Sequence, residues 1–173
     1  GILSPFIYAG LSLYQQERIM TLFDPNADPL GTGWNIAQSK TAIGSGGYFG
    51  KGYLSGTQSQ LDFIPESHSD FIFAVIAEEL GLLGIILLFL AYAIIIYRIF
   101  FIAFRSETIF GRLASASIGF IFLIFIIINI SMVVGIIPVV GVPLPLVSQG
   151  GTSLATHLLA FGFVLSVKKR SGW

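Results

Sequence analysis

Cysteine is absent from the 173 residues. That excludes disulfide frameworks, thiolate metal sites and cysteine nucleophiles, and it says nothing of compartment. Charge is also scarce: Lys and Arg number 9, Asp and Glu 9, together 10% of the chain with no net charge. A domain surrounded by water carries about a quarter charged residues, so much of this surface faces something else. Net neutrality also gives no footing for nucleic-acid binding. What the chain has instead is 54% apolar residues and a mean hydropathy of +0.86.

The apolar residues fall into long runs. Residues 71–97 hold only Glu78 and Glu79 as charges, and residues 113–137 and 144–167 hold none. About 20 helical residues cross a ~30 Å hydrocarbon core, so each run is long enough to span a membrane. Gly1–Leu13 has the look of a further span cut short, and the chain starts with Gly rather than Met. The expected fold is therefore all-α and polytopic, a bundle of about four transmembrane helices forming one membrane domain over 1–173. The chain is expected to be the C-terminal part of a larger protein.

Basic residues orient the bundle. Arg98, Arg105 and Arg112 lie between the 71–97 and 113–137 runs, and Lys168, Lys169 and Arg170 follow the last. The positive-inside rule makes both clusters cytoplasmic, giving an inner loop over about 98–112 and an inner tail over 168–173. The loop over about 15–69 and the Pro-rich link near Pro138–Pro145 then lie outside. That outer loop is too apolar for a solvated linker, with Trp34, Ile36, Tyr48, Phe49, Tyr53 and Leu54 among its residues. A compact cap with a short helix over Trp34–Ala42 is expected, with turns at Gly44, Gly46, Gly47, Gly50, Gly52 and Gly56. The run from Phe71 to Phe104 exceeds one membrane thickness, so it is expected to tilt or to extend into the cytoplasm. In that reading Glu78 and Glu79 lie about 12 Å deeper than Asp70 along one helix. Pro143 and Pro145 before Gly150-Gly151 predict broken or re-entrant backbone lining an enclosed cavity.

The polar residues suggest chemistry at the outer edge. Ser67-x-x-Asp70 ahead of an apolar run fits a capping box, with the acid on the first turn of the helix. Asp70 equally fits a general base, a carboxylate partly desolvated by Phe71 and Phe73 at the membrane edge. Glu66 and His68 beside it suit orienting or solvated roles better than a metal site. The Gly44-Ser45-Gly46-Gly47 run with Lys51 lacks the order of a P-loop. Backbone N–H groups with Lys40 or Lys51 would still suit a pyrophosphate, although turn chemistry explains the glycines as well. Acids within an apolar helix, here Glu78 and Glu79, suggest function by default, or else hydrogen bonds to polar groups on neighbouring helices.

Read in order, the motifs carry a resemblance. Asp24-Pro25-x-x-Asp28-Pro29-Leu30-Gly31-x-Gly33-Trp34 is followed by Gln38-Ser39-Lys40-x-Ala42-Ile43-Gly44-Ser45-Gly46-Gly47. Then come Gly50-Lys51-Gly52, Gly56-Thr57-Gln58 and Pro65-Glu66-x-His68-x-Asp70-Phe71-Ile72-Phe73. Gly141-x-Pro143-Leu144-Pro145 and Ser148-x-Gly150-Gly151 complete the series. Together they resemble the SEDS family of bacterial cell-wall polymerases over nearly the whole chain, and the elongation (RodA-like) branch more than the division branch. Ser69 stands where Thr is usual, and Gln149 where Tyr is usual.

The resemblance implies a peptidoglycan glycosyltransferase of the cytoplasmic (inner) membrane, polymerising lipid II on its outer face during cell elongation and shape maintenance. It implies an inverting transfer with Asp70 as the base. Substrate contacts are expected from Lys40, Lys51, Gln38, Ser39, Gly46, Gly47, Gln58, Glu66, His68, Ser148, Gln149 and Gly150. A divalent cation could share the stabilisation of the leaving pyrophosphate, but no convincing ligand set is visible and no metal residue is assigned. The implied partners are lipid II, the growing glycan strand, a class B penicillin-binding transpeptidase and membrane proteins of the elongation machinery. Two other functions fit parts of the pattern. The broken helix and membrane acids suit a lipid II transporter, or flippase, and the chain would also serve as a non-catalytic scaffold for the transpeptidase.

Overall fold

The computed structural model describes residues 12, 15–16, 20, 32–57 and 69–170. Within them are four helices: α1 (Thr32–Ser45), α2 (Ile72–Arg105), α3 (Ile109–Val134) and α4 (Gly151–Arg170). No strand occurs among the described residues. α2, α3 and α4 are each long and apolar enough to cross a membrane. The architecture is the expected polytopic helical bundle. The short span expected at Gly1–Leu13 lies, apart from Ser12, outside the described residues. α1 occupies the place expected for the cap helix and extends past it on both sides.

α2 and α3 form an antiparallel pair joined by only three residues, 106–108, a tighter turn than the inner loop expected over 98–112. Thr108 caps α3 by accepting a hydrogen bond from the Gly111 amide at 3.1 Å. At its far end α3 stops at Gly135, whose left-handed φ of 74° lets its amide reach the Met132 and Ser131 carbonyls. Tyr92, Phe122 and Phe161 fill the middle of the bundle, with ring centroids of Tyr92 and Phe122 5.9 Å apart. The Tyr92 hydroxyl donates to the Pro145 carbonyl at 2.7 Å. The link between α3 and α4 therefore dips to the level of Tyr92, as its prolines and glycines predict.

α2 departs from expectation. It is not one tilted rod but two arms meeting at Gly81, whose φ of 64° and ψ of −159° are far from helical. Along a straight helix, residues 73 and 89 would be ~24 Å apart, yet their rings lie 6.1 Å from each other. The first arm thus folds back beside the second. The second arm, residues 82–105, keeps 24 residues, or ~36 Å, and spans a bilayer alone. Glu78 and Glu79 accordingly sit at the break, beyond the top of the spanning arm, and not 12 Å deeper than Asp70.

The break is filled by the glycine segment that follows α1. In an unbroken helix the Leu82 and Leu83 amides would bond the Glu78 and Glu79 carbonyls. Here those amides donate to the Gly47 and Tyr48 carbonyls, at 2.9 and 3.2 Å. The Glu78 and Glu79 carbonyls accept instead from the Lys51 and Gly52 amides, at 2.9 and 3.0 Å. Two helical bonds become four, which satisfies the Glu78 and Glu79 carbonyls and the Leu82 and Leu83 amides across the break. Such close approach needs glycine: a Cβ on Gly46 would meet the Ala77 carbonyl oxygen at 1.9 Å, and one on Gly50 the Glu79 oxygen at 2.0 Å.

Candidate active site

Asp70 lies in a turn just ahead of α2. The helix begins at Ile72 with Phe71 as its N-cap, and the Phe71 side chain makes no cap bond. The acid is therefore ahead of the first turn, not on it as the capping-box reading expects. Ser67, its expected partner, lies outside the described residues.

Side chains from two other elements grip the backbone on which Asp70 rides. Ser148 donates to the Ser69 carbonyl at 2.6 Å and accepts from the Leu144 amide at 2.7 Å. The fully buried Asn129 of α3 spends both amide protons on carbonyls, Asp70 at 2.9 Å and Val142 at 2.7 Å. Its Oδ1 has no hydrogen-bond partner among the described residues. Two consecutive carbonyls are thus held, which leaves the half-buried Asp70 side chain directed at the link. A Cβ on Gly141, itself at φ 70°, would stand 3.5 Å from Asp70 Oδ2.

Lys40 arrives at the same end of the bundle. Ser39, fully buried, shares its hydroxyl proton between the Ile36 carbonyl at 2.9 Å and the Val133 carbonyl at 2.8 Å. That docks α1 on α3 one turn above Asn129. The next residue, Lys40, extends over the α3 terminus, where a Cβ on Gly135 would lie 2.8 Å from its Nζ. A helix C-terminus favours a cation there. Lys40 is exposed and makes no ion pair among the described residues. Gly135 and Gly141, six residues apart on one link, therefore neighbour Lys40 and Asp70 respectively.

Lys51 is placed differently. Its ammonium bonds Glu78 Oε1 and Thr57 Oγ1, both at 2.7 Å, and Thr57 donates to the same Glu78 oxygen at 3.0 Å. Glu78 is wholly buried. Lys51 thus neutralises a buried acid and clasps the glycine segment into the break. Gly46 and Gly47 serve the same docking. The other expected contacts are scattered. Gln38 is half-buried on α1, Gln149 is exposed on the link, and Gly150 accepts the first α4 bond, from Leu154 at 2.9 Å. Gln58, Glu66 and His68 lie outside the described residues. Among the described residues no three His, Asp or Glu side chains gather into a metal-holding group. Asn129 was open to discovery in the sequence only as a lone amide in an uncharged run.

The arrangement offers one carboxylate on a held backbone and, at the same end, one ammonium without an ion pair among the described residues. Residues 1–172 match the FtsW/RodA/SpoVE cell cycle protein profile. The chain is 56% identical over 154 residues to the peptidoglycan glycosyltransferase MrdB of Escherichia coli (strain K12), covering 89% of this chain and 42% of that protein. It is 39% identical over 160 residues to the peptidoglycan glycosyltransferase RodA of Treponema pallidum (strain Nichols), covering 92% and 37%. A solved chain from work on how a peptidoglycan synthase complex coordinates polymerization and crosslinking superposes with a TM-score of 0.77 at 28% identity, covering 99% of this chain and 46% of that one. The chain thus spans less than half the length of these relatives.

Proposed function

Because the chain belongs to the FtsW/RodA/SpoVE cell cycle protein family, we propose that it forms the base-bearing half of a peptidoglycan glycosyltransferase that polymerises lipid II. The observation that carries this reading is the placement of Asp70 and Lys40, the latter without an ion pair among the described residues, at one end of α3 and beside one glycine-bearing link. Asp70 takes the proton from the 4-hydroxyl of the acceptor's N-acetylglucosamine. That oxygen attacks the anomeric carbon of the growing glycan from the face opposite its pyrophosphate, so the configuration inverts. Undecaprenyl pyrophosphate departs with the bonding electrons. A displacement of this kind needs one positioned base and no protein nucleophile. The departing charge needs a cation, and Lys40 supplies it. Lys51 is committed to Glu78.

Charge supports an outer-face site in the bacterial inner membrane. Arg98, Arg105, Arg112, Lys168 and Lys169 all lie toward the end of the bundle opposite Asp70, which the positive-inside rule makes cytoplasmic. The likeness to a chain of a peptidoglycan synthase complex supports a class B penicillin-binding transpeptidase as partner. The transporter reading loses ground, since Glu78, its most attractive membrane acid, is clasped by Lys51 and Thr57.

Lipid II polymerisation by the full-length protein with its transpeptidase, comparing wild type with Asp70→Asn, tests the proposal. A fall of about 10²–10⁴-fold is expected for loss of a general base. Undiminished glycan from Asp70→Asn would sink the assignment. Lipid movement across vesicles that needs Glu78 but not Asp70 would transfer the function to transport.

A further inference from the structure

The segment that fills the α2 break projects four large side chains away from the described helices. Tyr48, Phe49 and Tyr53 are 76%, 82% and 78% exposed, and Leu54 is nearly as open. Their orientation is not free, since the backbone beneath them is bonded to α2 at Glu78, Glu79, Leu82 and Leu83. Lys51 is the only charge between residues 43 and 57, and it turns inward to Glu78.

These side chains continue a surface that begins on α2. Leu83, Leu87, Leu90, Ile94 and Tyr97 recur at helical spacing, and all are exposed. Leu83 is the residue whose amide bonds Tyr48, so the projecting segment sits at the top of that stripe. At the bottom, the Tyr97 ring stacks on Phe101 at 5.9 Å, and the Arg105 guanidinium lies 4.6 Å from the Phe101 ring centre. From Leu83 to Phe101 is 18 residues, or ~27 Å, close to the ~30 Å of a hydrocarbon core. An apolar stripe of that length, with aromatic rings at both ends, matches the spacing of interfacial aromatic belts.

We propose that residues 48–54 are a membrane-interface anchor. Tyr48, Phe49, Tyr53 and Leu54 lie among lipid headgroups at the level where α2 breaks, and the Leu83–Tyr97 stripe below them faces lipid tails. Tyrosine suits that depth, having an apolar ring and a hydroxyl that stays wet. The anchor holds the α2 break, and with it the arm leading to Asp70, at a fixed depth in the bilayer.

Cysteine labelling of the full-length protein tests this, since the chain has no cysteine of its own. Phe49→Cys, Tyr53→Cys and Leu90→Cys, in a background cleared of any other cysteine, would carry an NBD fluorophore in phosphatidylethanolamine/phosphatidylglycerol nanodiscs. The nanodiscs would hold lipids with a nitroxide near the glycerol or near the chain end. The anchor predicts that positions 49 and 53 are quenched more by the glycerol-end nitroxide and position 90 more by the chain-end one. Two results would overturn it. Iodide in water could quench 49 and 53 while neither lipid does, placing them in solvent. Alternatively, they could escape lipid quenching and lose iodide access only when the transpeptidase is bound, making the segment a protein-docking surface.

Discussion

The Lys51–Glu78 clasp makes a directional prediction because its two ends are unequally buried. Glu78 is fully buried, while the Lys51 side chain keeps 26% of its exposure. Lys51→Met removes the cation from a carboxylate with no access to water, a change that costs about 3–5 kcal/mol at buried pairs. Glu78→Gln preserves shape and an acceptor for Lys51 and Thr57, and the ammonium can turn to solvent. Its cost is set by one charge-assisted hydrogen bond, about 1.5–3 kcal/mol. The double variant Lys51→Met/Glu78→Gln strands no charge, so it should be more stable than Lys51→Met alone. Unfolding of the full-length protein in micelles gives the four corners of the cycle. Hydrogen exchange at the Leu82 and Leu83 amides should quicken most in Lys51→Met, because those amides are bonded to the clasped segment. Strict additivity, or Glu78→Gln proving the costlier single change, would refute the reasoning.

Other substitutions follow from the same geometry. Gly81→Ala should destabilise by about 1–3 kcal/mol through its backbone angles alone, and by more because its Cβ would lie 2.3 Å from the Gly50 amide nitrogen; a thermal melt reads this. Asn129→Leu strips the partly buried Asp70 and Val142 carbonyls of their donors, and Asn129→Asp, an acceptor facing acceptors, should be as harmful. Both should lower turnover with little change in lipid II binding, which distinguishes displaced chemistry from lost affinity. Lys40→Met should slow polymerisation about 10²-fold, as loss of one charge-stabilising donor does, and weaken inhibition by added pyrophosphate. Lys40→Arg should restore part of both.

Composition made the membrane helices legible, because uncharged runs of that length have few other uses, and the 3.6-residue helix sets how long they must be. α1 was legible for a different reason: an apolar stretch between glycines cannot stay solvated. The break at Gly81 was not. A glycine inside a helical pattern looks the same whether the helix continues or folds back, and only the docked Gly46–Gly52 segment decides between them. An over-long run, acids just before its glycine and a glycine-rich loop are together the signal for such a break. Ser39 and Ser148 read as substrate contacts, yet both hydroxyls sit on backbone carbonyls, because a hydroxyl at a helix junction satisfies buried acceptors before it reaches a ligand. Lys40 and Lys51 look equivalent in sequence. Burial of Glu78 separates them.

The central claim is that the Asp70 carboxylate moves a proton and does not merely shape the site. Asp70→Asn keeps the volume and the backbone grip of Asn129 and Ser148. The measurement is therefore lipid II binding beside single-turnover glycan formation, on the same full-length preparation. The account predicts binding within a few-fold of wild type and bond formation lowered by about 10²–10⁴-fold. Bond formation at the wild-type rate, or a loss explained wholly by failed binding, would contradict it.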